Sequence, residues 1–98
     1  MDSILQKNKE CFICRTTLKL HKHHIFYGTA NRKKAEQDGC WCYLCGYHHN
    51  LSNHGVHFDK KLDLRLKQIT QKRWCEYYGK STDDFIRRFG RSYYEKEN

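Results

Sequence analysis

Two short-spaced ligand pairs, Cys11-Phe-Ile-Cys14 and Cys45-Gly-Tyr-His48, constrain this chain more than any other feature. A tetrahedral zinc site draws four thiolate or imidazole ligands from pairs of this kind. The chain needs such a staple. Its 98 residues allow one domain, spanning 1–98. A chain of that length buries only about two-thirds of its unfolded surface. Only 38% of the residues are hydrophobic, and much of that share is aromatic: seven Tyr, five Phe and two Trp. Small domains of this composition recruit a metal or disulfides. Residues 1–7 run straight into charged sequence with no apolar stretch for a signal peptide, and no segment is apolar enough for a membrane span. The expected setting is cytoplasmic and reducing, where Cys-x-x-Cys reads as a metal knuckle rather than half of a disulfide framework.

Cys11 and Cys14 supply the first pair. For the second, Cys42-Tyr-Leu-Cys45 has the same spacing as Cys45-Gly-Tyr-His48. A knuckle must turn, and Gly46 lets it do so. Cys42 to Cys45 reads as strand, where side chains three apart point to opposite faces. The reading favours Cys11, Cys14, Cys45 and His48 as structural zinc ligands, with Cys42 as the alternative to His48. A two-Cys, two-His finger fails on spacing, because eight residues separate Cys14 from His23. Cys40 and Cys75 have no short-spaced partner and read as buried thiols.

Nineteen Lys and Arg against eleven Asp and Glu leave a formal charge of +8, and the pI is near 9.3. Such a surface favours a polyanion, since neutralising phosphates releases counterions.

Residues 18–27 are rich in strand formers and close at Gly28. The segment 29–39 reads as a loop with a short helical turn, and 41–44 as a second strand between Gly39 and Gly46. His49, Asn53 and His57 recur at the spacing of one helix face, although Gly55 weakens a helix there. The spacing of Leu62, Leu66 and Ile69 predicts a helix over 60–78, closed by Gly79. Ser81-Thr-Asp-Asp84 reads as the N-cap of a final short helix containing Phe85, Ile86 and Phe89.

The order of these pieces is recognisable. A Cys-x-x-Cys knuckle, a strand carrying His23-His24-Ile25, a second strand ending Leu44-Cys45-x-x-His48-His49, and the segment to His57 together resemble the HNH, or His-Me finger, endonucleases, most nearly the small phage-encoded ones. The resemblance covers residues 11–58. It implies an α+β fold: a ββα-metal core over 11–58 followed by a helical extension over 60–98. It also implies a metal-dependent endonuclease that hydrolyses phosphodiester bonds in DNA, leaving 5′-phosphate and 3′-hydroxyl ends. His24 would be the general base that deprotonates the attacking water. His23, where many members carry aspartate, and His49, at the start of the helix, would ligate one divalent cation (Mg, Mn, Ni or Zn). Asn53 or His57 would add a further ligand from the same helix face. Arg32, Lys33 and Lys34, between the strands, would contact phosphates, joined by basic residues of the C-terminal helices such as Lys67 and Arg88. His21 and His54 read as bystanders.

Adjacent residues in a regular strand face opposite ways. His23 and His24 therefore serve one site only if the backbone distorts, and otherwise His21 and His23 share a face. The family's middle Asn, which braces the loop carrying the base, falls at Cys40 here, leaving Asn31 as a candidate brace. That substitution keeps a second function in play: a catalytically silent HNH-like zinc domain that binds nucleic acid or a partner protein. RNA in place of DNA, and a protein partner or homodimer, remain open at this stage.

Overall fold

The structure is a computed structural model and describes residues 1–50 and 55–94. It is a small mixed α/β fold around a two-stranded antiparallel sheet. In chain order the elements are β1 (Leu20–His24), α1 (Thr29–Asp38), β2 (Trp41–Cys45), α2 (Gly46–His49), α3 (Lys60–Tyr78) and α4 (Thr82–Phe89). Strand β1 pairs with β2 in unbroken register, from Leu20 opposite Cys45 to His24 opposite Trp41. A lone two-stranded ribbon is marginal in water. This one survives because helices and the N-terminal segment cover it.

The first correction to the sequence reading is α1. The expected loop is a ten-residue helix in which only Ala35 is buried. Its residues are good helix formers with almost no apolar periodicity, so the pattern that marks an amphipathic helix is missing. Gly39 ends it in the left-handed region, at φ 75°, and packs against the N-terminus. A Cβ there would stand 2.3 Å from the Asp2 carbonyl oxygen.

The N-terminal segment is tied onto the sheet. Ile4 and Leu5 are buried in the core. Tyr43 N–H donates to Gln6 Oε1 (2.6 Å) and Phe12 N–H to the Tyr43 carbonyl (2.8 Å), which closes the outer edge of β2.

Phe26, two residues beyond β1, is fully buried. Its ring lies 5.2 Å from Phe85, 4.6 Å from Phe89 and 5.4 Å from Tyr93. Strand β1 is thus nailed at its end to α4, whose Phe85 and Phe89 stand one turn apart. Helix α4 opens on the expected cap: Ser81 Oγ accepts from Asp84 N–H, and the Asp84 carboxylate accepts from Ser81 N–H. In α3 the expected stripe shifts towards the C-terminus. Leu66, Thr70, Gln71 and Trp74 are buried, while Leu62 and Ile69 pack at the margin. Buried Gln71 is satisfied, donating to Ser92 Oγ (2.9 Å) and accepting from Tyr93 N–H (2.7 Å).

Asp38, at the end of α1, gathers the helices. It accepts from Trp74 Nε1 (2.9 Å) on α3 and from Arg88 on α4 through both carboxylate oxygens (2.9 and 3.0 Å). Among the described residues no helix is long and apolar enough to cross a membrane.

Candidate metal centres and the histidine cleft

Cys11, Cys14, Cys45 and His48 converge into a group that can hold a metal such as zinc. Cys11 and Cys14 sit in a tight turn, where Cys11 N–H donates to the Thr16 carbonyl and the Cys11 carbonyl accepts from Arg15 N–H. Cys45 ends β2, and Gly46 starts the single turn of α2 that swings His48 back. A regular tetrahedron with Zn–S of about 2.3 Å and Zn–N of about 2.0 Å has S···S edges of about 3.8 Å and S···N edges of about 3.5 Å. Here Cys14 Sγ lies 3.7 Å from Cys45 Sγ, and His48 Nδ1 lies 3.3 Å from Cys45 Sγ and 3.8 Å from Cys11 Sγ. The donor set and its spacing fit zinc. Burial pushes the Cys11 thiol up, but backbone N–H groups of Cys14, Cys45 and Ile13 outweigh it and hold the group at about 6. Cys42 stays out. Its side chain is fully buried, and burial pushes its thiol up to about 12.

The second group is His23, His49 and His57, whose ligand atoms all lie within 4.8 Å of one another. His49 Nε2 and His57 Nε2 stand 3.1 Å apart, close to the edge of about 3.3 Å for two imidazoles on one tetrahedral zinc. His23 is 4% exposed, and its Nε2 is buried with no hydrogen-bond partner. An orphaned buried nitrogen facing two more imidazoles is what a cation would satisfy. Burial, followed by His49 and His57, drives the His23 imidazole down to about 3. Burial, with His57 and His21, takes His49 to about 4. Both rings are therefore neutral near pH 7, the form that ligates metal.

The route to this group differs from the expected helix face. His49 closes the short helix α2 rather than opening a helix, and His57 arrives on the turn at 55–58. Val56 N–H donates to the His48 carbonyl (2.8 Å), which presses the turn onto α2. Gly55 permits that approach, because a Cβ there would meet the His49 carbonyl oxygen at 2.6 Å. Asn53, the expected alternative ligand, and His54 lie outside the described residues.

β1 has no bulge, so the alternation holds and the His23-His24 pair splits. His21 and His23 face α2. His21 Nδ1 lies 2.9 Å from His49 Nδ1, which makes His21 a support rather than a bystander. Lys22 and His24 face α1, where both meet Glu36. His24 nevertheless borders the same open cleft as the triad. That cleft, of about 230 Å³, is lined by Lys22, His23, His24, Tyr27, Arg32, His49 and His57. A larger depression of about 570 Å³ beside the N-terminal segment carries no histidine or cysteine.

Cys40 is fully buried, and burial pushes its thiol far up. The Cys40 carbonyl accepts from Ile25 N–H (3.0 Å), next to His24. Asn31 is not the brace, since its amide donates to the Phe89 carbonyl (3.1 Å). Cys75 is half-buried rather than buried, with its thiol donating to the Ser81 carbonyl.

Of the basic residues between the strands, Arg32 is exposed and lines the cleft. Lys33 and Lys34 follow it on α1 without lining the cleft. Two residues leave the phosphate-contact set. Arg88 is committed to Asp38, and Lys67 pairs with Asp63 (2.9 Å) while lying 4.2 Å over the Tyr27 ring.

Comparisons with protein-family models, with curated proteins and with solved structures found no significant match to this chain.

Proposed function

We propose that this protein is a metal-dependent endonuclease of the HNH type, hydrolysing phosphodiester bonds in DNA at the histidine cleft. The observation that carries the reading is the buried, unpartnered His23 Nε2 facing His49 and His57, with a separate histidine, His24, on the rim of the same cleft. His23, His49 and His57 would hold one divalent cation. The cation supplies charge for the scissile phosphate and the departing oxygen. Three imidazoles suit zinc or nickel better than magnesium or manganese, which prefer carboxylate and water oxygens.

His24 is assigned the base. A water gives a proton to His24, its oxygen bonds to phosphorus, and the bond from phosphorus to O3′ breaks. The leaving oxygen takes a proton from solvent, and His24 returns its own. Arg32, on the cleft wall, is assigned a phosphate contact. The three-sulfur, one-nitrogen knuckle is assigned a structural role, since all four of its ligand positions are filled by protein.

The test is nicking of supercoiled plasmid with Mg²⁺, Mn²⁺, Ni²⁺, Zn²⁺ or EDTA, beside His24→Ala and His23→Ala. Metal-dependent nicking lost in both variants is the expected result. DNA binding without cleavage under any metal would sink the nuclease reading in favour of a silent binding module.

A further inference from the structure

Glu36 meets His24 from the face of β1 opposite the metal-ligand histidines. Its Oε1 lies 3.1 Å from His24 Nε2. Lys22 Nζ reaches both oxygens of the same carboxylate, at 2.7 and 3.0 Å. The arrangement is anchored further back. Lys22 Nζ sits 4.1 Å from the centroid of the Trp41 ring, and Trp41 is the residue opposite His24 in the sheet. An exposed Lys–Glu pair alone would be a solvated surface contact worth little. Here the third member, His24, has a side chain only 13% exposed. Lys22, and then His24, hold the Glu36 carboxyl below the usual carboxylate range. Glu36 is thus ionised near neutral pH and can only accept. The hydrogen between Glu36 and His24 must therefore sit on His24 Nε2, which leaves the lone pair on Nδ1.

We propose that Glu36 is a positioning residue for His24, fixing the neutral imidazole as its Nε2–H tautomer and keeping Nδ1 free to take a proton, with Lys22 holding Glu36 in place. The inference rests on His24 being the base. In the reaction, the water proton moves to Nδ1 as the new P–O bond forms and the P–O3′ bond breaks. The imidazolium keeps its Nε2–H on the Glu36 carboxylate, which stays ionised and stabilises the added charge. The Nδ1 proton then leaves to solvent.

Two measurements on the zinc-loaded protein test this. Long-range ¹H–¹⁵N correlation spectra at one fixed pH report which His24 nitrogen carries the hydrogen. The wild type should show Nε2–H, and Glu36→Ala a mixture of tautomers. This readout needs no cleavage activity. Plasmid nicking then compares Glu36→Gln, which keeps an acceptor oxygen but loses the charge, with Glu36→Ala. We expect kcat to fall by about 10- to 10²-fold, a part of the about 10²–10⁴-fold that a positioned base contributes. KM, DNA affinity and melting temperature should stay unchanged. An Nδ1–H tautomer in the wild type, or rates unaltered in both variants, overturns the proposal. If His24→Ala is inactive in that case, the base assignment survives without Glu36. If the wild type never cleaves, the nuclease reading and the catalytic role of Glu36 fall together, while the spectra still show whether Glu36 sets the ring.

Discussion

His21 Nδ1 and His49 Nδ1 lie 2.9 Å apart, so one of the two nitrogens donates to the other. If His49 uses Nε2 as a ligand, its Nδ1 carries the hydrogen and His21 accepts it. That bond fixes the tautomer and aim of a ligand histidine, and loss of such a support typically costs about 10- to 100-fold in metal affinity. His21→Ala should therefore weaken Ni²⁺ or Zn²⁺ binding at the histidine centre by about that factor. Cys75→Ser, outside both ligand groups, provides the comparison. Competition against a chromophoric chelator measures both. Equal affinities in wild type and His21→Ala would show that the bond positions nothing.

The knuckle leads to a different outcome. An apparent zinc affinity of about 10–16 kcal/mol matches or exceeds the whole stability of a typical domain, about 5–15 kcal/mol. Removing one ligand by Cys14→Ser, or the metal with a strong chelator, should abolish the cooperative melt. Cys75→Ser, far from the knuckle in sequence and with its thiol donating to the Ser81 carbonyl, should melt nearly as the wild type does. Mass spectrometry of native protein should show one tightly held zinc that leaves only on unfolding.

What the sequence made legible were the features held in local spacing. The Cys11/Cys14 and Cys45/His48 pairs, the Ser81 cap and the Gly79 helix end each depend on residues a few positions apart. His57 does join His23 and His49, but by another route than its spacing predicts. Its helical spacing from His49 suggested one face, whereas it arrives on a turn that Gly55 allows to press against α2. Glu36 could not be read, because its contact with His24 depends on the register of β1 and on α1 crossing beside it. Arg88 looked like any surface arginine, since nothing local points to an aspartate 50 residues earlier. The alternation rule, applied to His21, His23 and His24, was the one available signal for His21.

Acid should destabilise the metal-free histidine centre, and the sign follows from burial. Folded His23 and His49 titrate at about 3 and about 4, while unfolded histidine titrates at about 6.5. Between about pH 6.5 and 4 the unfolded chain therefore binds more protons than the folded one. Stability is complete above that window. It falls as pH drops through it, by up to about 1.4 kcal/mol per pH unit for each histidine. The two contribute about equally down to pH 5, and the His23 share continues to about pH 3 where that of His49 ends near 4. Urea midpoints between pH 8 and pH 5 should fall less steeply in His23→Gln than in wild type, both carrying one equivalent of zinc, which the knuckle retains. Parallel slopes would contradict the burial argument.

Gly55→Ala tests how His57 is placed. The added Cβ would stand 2.6 Å from the His49 carbonyl oxygen and 2.8 Å from its carbon, and neither can swing away as a side-chain tip could. The turn must lift, at a cost of about 1–3 kcal/mol typical of overpacking. His57 lifts with it. We expect a modest loss in melting temperature beside a much larger loss of metal affinity at the histidine centre. Intact metal binding in Gly55→Ala would remove His57 from the ligand set.

Arg32 and Arg88 carry the same charge and should behave in opposite ways. Arg32 is exposed on the cleft wall, and no salt bridge is found for it among the described residues. Arg88 gives its guanidinium to both oxygens of Asp38, whose carboxylate also takes the Trp74 indole N–H. If Arg32 contacts a phosphate, Arg32→Ala should weaken DNA binding across sequences and reduce the slope of log K against log salt by about 1. Its melting temperature should not move. Arg88→Ala should leave that slope unchanged and cost about 1.5–3 kcal/mol of stability, because Asp38 loses its charged donor while still half-enclosed by α3 and α4. Salt titrations of duplex binding and thermal melts of the two variants separate the roles. A slope unaffected by Arg32→Ala would place the DNA elsewhere on the surface, with the exposed Lys60, Lys61, Arg65, Lys72 and Arg73 of α3 next to be tested.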